Sequence, residues 1–429
     1  MLWAFFGTLF GLLLSGVWIS VALGLTAIVI MQFWGGGIAL LGSAAWSSIN
    51  RYSLCALPGF IFLGQIILVS GLSNRMYDSV LPLMARLPGK LLQSNIVLSA
   101  MFAAVLGSST ANAAIVGSVA IPELRKRKYN ERLTLGTVCA GGTLALLIPP
   151  SNGFIIYGVM ADTSIAALFA AGTIPGVIMA LLFMTYVGVK AKLSPDIAPA
   201  EEKGLPFKET LLCLLRIWPL VIIMFACVGT IYLGWTTPVE GAGVGALTSI
   251  IVGRLFGKLG WQQIKTALIE TTEISAMIFF LVLGAMLMSV CISELGVPRA
   301  MVHAIGELSL SPLEIVTLIL IMYLIMGCFL DGISMLLVTL PFVVPIMAKI
   351  GVDFIWFGVV VVIMVEVGQV TPPVGLNLFV TRGIAGAQTS LSDIFMGSLP
   401  LVIMQILVIV IITIFPRIAT FLPSLLGLI

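Results

Sequence analysis

The sequence contains few charged residues. Asp, Glu, Lys and Arg make up 9% of its 429 residues, whereas a soluble domain contains about 25%. Hydrophobic residues make up 60%, and the mean hydropathy is +1.19. These values exclude an ordinary soluble domain. The long apolar runs predict an all-α polytopic membrane protein, because a helix satisfies its own backbone hydrogen bonds in lipid.

Histidine is scarce, and the cysteines lack metal-site spacing. His303 is the single histidine, which argues against a His-based metal site or catalytic triad. The six cysteines lie in apolar segments without C-x-x-C spacing, so we expect small buried hydrophobic side chains rather than disulfides or metal ligands. They are Cys55, Cys139, Cys213, Cys227, Cys291 and Cys328. The small net charge of +3 gives no support to nucleic-acid binding.

Two double prolines, Pro149-Pro150 and Pro372-Pro373, lie inside the long apolar segments 133–157 and 354–381. Proline removes a backbone donor and clashes with the carbonyl four residues earlier, so each pair should break its helix. Breaks in hydrocarbon survive only where protein or a water-filled cavity covers the freed carbonyls. A matched pair of breaks in corresponding positions of two halves indicates a transporter's binding site.

A segment with a polar or glycine-containing centre precedes each broken helix. The segment 91–124 centres on Gly107 to Asn112, and the segment 313–350 centres on Gly327 to Gly332. Basic residues flank the first segment on both sides, which places both of its ends in the cytoplasm. We therefore predict a re-entrant helical hairpin; one long span with a Ser/Thr-rich packing face is the alternative.

The chain separation from Gly107 to Pro149 resembles that from Gly327 to Pro372. Few basic residues flank the second hairpin, so we expect it to enter the membrane from the opposite side. The sequence thus predicts an inverted repeat, with two hairpin tips meeting two broken helices near the bilayer midplane.

The remaining segments complete the predicted organisation. We expect one tilted span over Leu2 to Phe33, an interfacial connection over 34–51, a span over 54–70 and a surface helix over 75–90. The full division is an N-terminal scaffold (1–90), a first transport repeat (91–190), a polar linker (191–210), a scaffold region (211–310) and a second transport repeat (311–415). In the scaffold region we expect two spans, about 211–233 and 239–256, then an amphipathic surface stretch that leads to a separate span, 274–293, and a surface helix around Arg299. The N-terminus is expected in the cytoplasm.

The predicted site combines two kinds of polar group. Half-helix N-termini carry partial positive charge and free N–H groups, which suit a carboxylate. Freed carbonyls and neutral side-chain oxygens suit a small hard cation such as Na⁺, with one cation site per repeat. We expect substrate contacts from Ser108, Ser109, Asn152, Asp331 and Asn377.

The acidic residues Asp331 and Glu366 are unusual in apolar surroundings. A carboxylate near the bilayer centre costs about 2.5–3.5 kcal/mol even on insertion scales. Asp331 is therefore a functional candidate, and it also suits a helix cap beside Gly332. Glu366 is a coupling-ion ligand, a protonatable group or a scaffold contact. An intramembrane enzyme needs a paired nucleophile and base or a metal cluster, so we do not expect an enzyme.

Several motifs resemble the large permease subunit of TRAP transporters. In the first half they are Gly107-Ser-Ser-Thr-Ala-Asn112, Gly141-Gly-Thr-Leu144 through Ile148-Pro-Pro-Ser151, and Gly172-Thr-Ile-Pro-Gly176. In the second half they are Phe357-Gly358, Thr371-Pro-Pro-Val-Gly375 and Leu378-Phe-Val380. The resemblance extends over essentially the whole chain as a single permease domain.

The resemblance implies an elevator-type subunit in a bacterial inner membrane. Its partners would be a small four-helix membrane subunit, not fused to this chain, and a periplasmic substrate-binding protein. It would import a C4-dicarboxylate or sialic acid with two or more Na⁺ ions. The implied Na⁺ residues are Ser108, Thr110, Asn112, Pro149, Ser151, Gly327, Asp331, Gly332, Thr371 and Gly375. The alternative is a stand-alone ion-coupled organic-anion carrier or antiporter that needs no binding protein.

Three arginines are not expected to bind substrate. Arg51, Arg299 and Arg382 should instead extend their charged ends to a membrane interface.

Overall fold

A computed structural model of the chain describes residues 2–34, 37–199, 213, 217–297, 300, 310–386 and 388–429. Within these ranges every regular element is a helix. Most of the predicted polar linker, the start of the following span, His303, Arg299 and the surface helix around it lie outside the described residues.

The first half of the chain forms eleven helices within the described ranges. They are α1 Leu2–Leu14, α2 Ile19–Trp34, α3 Ile38–Ile49, α4 Ala56–Val69, α5 Leu72–Met84, α6 Leu91–Leu106, α7 Ser109–Lys126, α8 Glu131–Gly142, α9 Leu144–Leu147, α10 Asn152–Met160 and α11 Ile165–Leu193.

The second half adds nine helices within the described ranges. They are α12 Trp218–Tyr232, α13 Pro238–Phe256, α14 Trp261–Glu294, α15 Pro312–Gly327, α16 Gly332–Lys349, α17 Phe354–Gln369, α18 Leu376–Ala385, α19 Leu391–Ile414 and α20 Arg417–Leu425.

The structure corrects the prediction for the N-terminal scaffold. The uncharged run Leu2 to Phe33 is two helices rather than one tilted span, because the helix ends before Gly16, whose φ of +80° interrupts helical geometry at little steric cost. The predicted interfacial connection contains helix α3. Cys55 is exposed at the end of a short turn, while the other five cysteines are buried as predicted.

Helix ends in the later part of the chain also differ from the prediction. Helix α14 is continuous over 34 residues, although a surface stretch followed by a separate span was expected. Helix α11 continues to Leu193, inside the predicted linker, and the terminal helix α20 was not predicted. The polar residues in the first turns of α14 are typical of a surface stretch, but the helix continues from them into the apolar span without a break.

Six of the described helices are long and apolar enough to cross a membrane, and a seventh span results if the bent pair Glu131–Leu147 and Asn152–Met160 is counted as one. Helices α6 and α15 have 16 residues each. Such a helix is roughly 24 Å long and does not cross a hydrocarbon core of about 30 Å alone. Their length therefore suits helices that enter the membrane and turn back.

The two predicted repeats contact each other reciprocally. In each half the hairpin packs on its own broken helix, α6 on α8 and α15 on α17. The second half of each broken helix packs on the hairpin of the other repeat, α10 on α16 and α18 on α7. This reciprocal pattern is the one expected of an inverted repeat, and the contacts join the two predicted repeats into one helical body.

The contact between α8 and α19 is a backbone contact. A Cβ atom added to Gly397 would lie 2.0 Å from the carbonyl oxygen of Arg132, and one added to Gly136 would lie 2.2 Å from the carbonyl carbon of Gly397. Arg132 also pairs with Asp393 at 2.7 Å. At these two positions no side chain larger than hydrogen fits between the helices.

Gly397→Ala should therefore lower stability. The added methyl group forces α8 and α19 apart, which costs about 1–3 kcal/mol or more. The control is Gly243→Ala in α13, where an added Cβ meets nothing within 4 Å, and which should be neutral or stabilising by up to about 1 kcal/mol. The melting temperature of the purified protein in detergent measures both. Equal melting temperatures would contradict the close helix contact.

Candidate functional site

The first hairpin turns between α6 and α7. Gly107 ends α6 with φ of +58°, and Ser108 is the extended residue before α7. The Ser108 hydroxyl lies 3.3 Å from that of Thr110. A Cβ on Gly107 would lie 3.2 Å from both the backbone nitrogen of Asn152 and the carbonyl oxygen of Pro150. The first tip therefore lies directly against the first proline break.

The first break separates α9 from α10, and the helix axis bends there by 41°. Ser151 caps α10: its hydroxyl accepts a hydrogen bond from the Phe154 amide at 3.3 Å and donates to the carbonyl of Leu146. This hydroxyl thereby satisfies groups that the prolines set free. Asn152, the first residue of α10, is buried beneath the tip.

The second hairpin turns between α15 and α16. Asp331 caps α16, with its Oδ2 accepting from the Ser334 amide at 3.0 Å. The carbonyl of Cys328 in this turn accepts a hydrogen bond from the Gly375 amide at 3.3 Å. A Cβ on Gly327 would lie 2.7 Å from the Cα of Gly368. The second tip thus contacts the second break, as the first tip contacts the first.

The second break separates α17 from α18. Thr371 donates its hydroxyl to the Val367 carbonyl at 2.7 Å, and Gly375 starts α18 with φ of +61°. Asn377 is fully buried in the first turn of α18, and neither polar atom of its side chain has a partner among the described residues. An unpartnered buried amide next to a helix N-terminus is available to a ligand.

The two tip-and-break pairs touch each other. A Cβ on Gly332 in the second tip would lie 3.5 Å from Leu146, just before the first break. In the other direction, the hydroxyl of Ser109 in the first tip donates to the carboxyl of Glu366 in α17. The four polar turns therefore form one continuous region.

This region can bind ions of both signs. Helices α7, α10, α16 and α18 all begin in this region, so four helix N-termini with partial positive charge lie in it, which favours an anion. Carbonyls at the breaks and neutral oxygens of Ser, Thr and Asn supply the hard ligands that an alkali cation prefers. Within the described residues there is no group of three or more His, Cys, Asp or Glu that could hold a metal ion.

Some predicted site residues already have structural partners. Asn112 uses its amide nitrogen to bond the carbonyls of Ser99 at 3.0 Å and Gly142 at 3.3 Å, while its Oδ1 has no partner within the described ranges. Asp331 is a helix cap, which was the compatible alternative. Their roles as ligands stay predictions.

Two hydrogen bonds between buried side chains of the two repeats were not predicted. One is the bond from Ser109 to Glu366, and the other is the bond from Gln405 in α19 to the Thr143 hydroxyl at 2.5 Å. The acidic residue Glu366 stands out in its apolar run, so the sequence marks it as unusual, but the sequence does not indicate that Ser109 is its partner. Nothing in the local sequence marks Gln405.

Arg51 has a hydrogen-bond partner that was not predicted. It donates to the carbonyl of Val159 at 2.7 Å, at the end of α10. It therefore joins the scaffold to the first broken helix, where it satisfies a carbonyl of the last helical turn.

A family model described as "Tripartite ATP-independent periplasmic transporter, DctM component" matches residues 6–418. The C4-dicarboxylate TRAP transporter large permease protein DctM of Pseudomonas aeruginosa is 31% identical over 410 residues, 95% of each chain. The sialic acid TRAP transporter large permease protein SiaM of Vibrio cholerae is 30% identical, covering 99% of each chain. The isethionate TRAP transporter permease protein DctMQ of Oleidesulfovibrio alaskensis is 31% identical over 95% of this chain and 64% of its own length.

Two solved structures are similar in fold. The YdaH transporter of Alcanivorax borkumensis has a TM-score of 0.66 at 12% identity, covering 92% of this chain and 90% of its own. MtrF of Neisseria gonorrhoeae has a TM-score of 0.62 at 13% identity, covering 91% and 85%. The prediction of an all-α multi-pass membrane transporter fold is confirmed by this likeness; the elevator movement stays a prediction.

The cap at the second tip predicts how two substitutions differ. Asp331→Ala removes the acceptor of the Ser334 amide and should lower the free energy of unfolding by about 1 kcal/mol. Asp331→Asn should leave it unchanged, because Asn caps helices as well as Asp does. Thermal unfolding of the purified protein compares the two. Equal losses in both variants would show that the charge, rather than the cap, stabilises the turn.

Proposed function

Because the chain belongs to the DctM family of tripartite ATP-independent periplasmic (TRAP) transporters, we propose that it is the large membrane subunit of a Na⁺-coupled importer for a carboxylate-bearing organic acid. The observation that carries this proposal is the convergence of two hairpin tips and two proline breaks at one place. A small membrane subunit and a periplasmic binding protein would complete the system in a bacterial inner membrane, with the N-terminus in the cytoplasm.

The substrate is proposed to be a C4-dicarboxylate or a sialic acid. Relatives of nearly equal similarity are named for each of these, and the isethionate relative is named for a sulfonate. All are organic anions, and the four helix N-termini in the region of the tips and breaks suit an anion. The buried amides of Asn152 and Asn377 flank the two breaks and would contact the bound acid, together with Ser108, Ser109 and Asp331.

Na⁺ would bind where each tip meets its own break. In the first repeat the ligands would come from Ser108, Thr110, Asn112, Pro149 and Ser151. In the second they would come from Gly327, Asp331, Gly332, Thr371 and Gly375. Because each tip already contacts its break, an ion bound between them would attract the oxygen atoms of both without a large rearrangement of the backbone. Two such cations would offset the charge of the anion, which favours their joint movement through a low-dielectric region.

The proposed movement is that of an elevator. The two repeats exchange contacts with each other, whereas α2, α3 and α4 pack on α14; the scaffold meets the repeats where α14 contacts α16 and α4 contacts α6. This division supports sliding of the repeat body against the scaffold. The bond from Arg51 to Val159 links these two groups, and it would break when the body moves.

A vesicle experiment tests the coupling. Proteoliposomes with both membrane subunits, and with the loaded periplasmic protein outside, should accumulate the acid only when an inward Na⁺ gradient is imposed. A K⁺ diffusion potential of the same size with choline in place of Na⁺ is the control. Equal uptake in choline would show that uptake of the acid is not coupled to Na⁺. Uptake that persists without the periplasmic protein would favour a stand-alone carrier or antiporter.

Asp331→Asn should reduce uptake by roughly tenfold or more while the protein remains folded, because the cap is kept and only the charge beside the second break is lost. Asp353→Asn is the matched control. Asp353 also caps a helix, accepting from the Ile355 amide at 2.7 Å, but it lies at the far end of α17. Initial uptake rates per folded protein measure both. Wild-type uptake by the Asp331 variant would show that this carboxylate has no transport role.

A further inference from the structure

Glu366 is a fully buried carboxyl in the middle of a packed helix. It lies in α17 with an exposed fraction of 0%, and its neighbours Val365 and Val367 are buried as well. Among the described residues, no Lys or Arg forms an ion pair with it. Such a group is costly to bury without compensation. Its presence therefore points to a role beyond packing.

The polar contact that the structure gives this carboxyl comes from the first hairpin tip. The Ser109 hydroxyl donates to Oε1, while Oε2 has no partner within the described ranges. Breaking a hydrogen bond between two buried groups is costly, because it leaves both without a partner. Ser109 is the first residue of α7 and directly follows Ser108. The bond therefore joins Glu366 to the first turn of α7, which directly follows the first tip.

One turn further on, the same helix contacts the second tip. Gln369 is the last residue of α17, three positions after Glu366 and on a neighbouring part of the helix surface. A Cβ on Gly332 in the second tip would lie 2.7 Å from Nε2 of Gln369. A Cβ on Gly368 would lie 2.6 Å from the Cα of Gly327. The last turn of α17 is thus held between the two tips.

We propose that Glu366 is a positioning residue that couples the two cation sites through its hydrogen bond to Ser109. The inference rests on the proposed function, because it requires an ion site at each tip. An ion that orders the first tip also orders the last turn of α17 and, through it, the second tip. Such coupling acts equally in both directions. Filling either site therefore raises the affinity of the other.

The chain offers a matched control on the same helix. The Tyr157 hydroxyl donates to the Phe354 carbonyl at 2.8 Å, and this bond also joins the first repeat to α17. Phe354 is the first residue of that helix, roughly 18 Å from Glu366 at 1.5 Å per residue. Tyr157→Phe removes a hydrogen bond between the repeats without touching either tip.

The test is a Na⁺ titration of the purified complex of both membrane subunits in nanodiscs, with choline replacing Na⁺ and no organic substrate added. The rise in melting temperature with Na⁺ gives the half-saturating concentration and the slope of the curve. Wild type should give a cooperative curve. Glu366→Leu and Ser109→Ala, which remove the acceptor and the donor of the bond respectively, should each raise the half-saturating concentration by roughly tenfold, the order expected for the loss of one buried hydrogen bond, and bring the slope towards that of independent sites.

The double variant and two further variants separate coupling from loss of structure. The double variant should bind Na⁺ no more weakly than either single variant, because both remove the same bond. Ser109→Thr, which keeps the hydroxyl, should retain the cooperative curve. Tyr157→Phe should lower the melting temperature measured without Na⁺, but its half-saturating Na⁺ concentration and the slope of its curve should equal those of wild type.

Three results would overturn the inference. A cooperative wild-type curve that is unchanged in both single variants would show that Glu366 couples nothing. Losses that add in the double variant would show that the two residues act independently. The absence of any Na⁺ response in wild type would overturn the proposed function as well, so the two failures are distinguishable.

Discussion

Unpaired backbone groups inside an apolar region are the constraint on which this structure depends. Each double proline interrupts a helix and leaves carbonyl and amide groups that lipid does not satisfy. The polar turn of a hairpin contacts each interruption, Gly107 against Pro150 and Asn152 in one repeat, and Cys328 against Gly375 in the other, where Pro372 and Pro373 themselves are exposed. The same polar atoms that need cover are those that bind ions, so the constraint and the proposed site are one arrangement.

The exchanged contacts between repeats follow from this arrangement. Each hairpin is short, and it packs on more than its own broken helix. Helices α10 and α18 each pack on the hairpin of the opposite repeat. Close backbone approaches at Gly136 with Gly397, and at Gly327 with Gly368, bring the helices near enough for the turns to meet. The bond from Ser109 to Glu366 then joins the two breaks through one helix.

Local chemistry decided which features the sequence could predict. The breaks after Pro149 and Pro372 and the turns at Gly107 and Gly332 were predictable, because proline and glycine act on the backbone where they stand. The division of the N-terminal run at Gly16 was not, because a hydropathy pattern averages over a single Ser-Gly pair in a long apolar run. The pairings of Ser109 with Glu366 and of Gln405 with Thr143 join positions 257 and 262 residues apart. Only the packing of whole helices sets such pairs.

The central claim is that each hairpin tip and its own break together enclose a coupling ion. An experimental density map of the complex in nanodiscs, recorded once in Na⁺ and once in choline, tests it most directly. The account predicts two densities that appear only in Na⁺, one between Ser108 and Pro150 and one between Asp331 and Thr371. Ion density elsewhere, or tips that lie apart from their breaks in both maps, would contradict it.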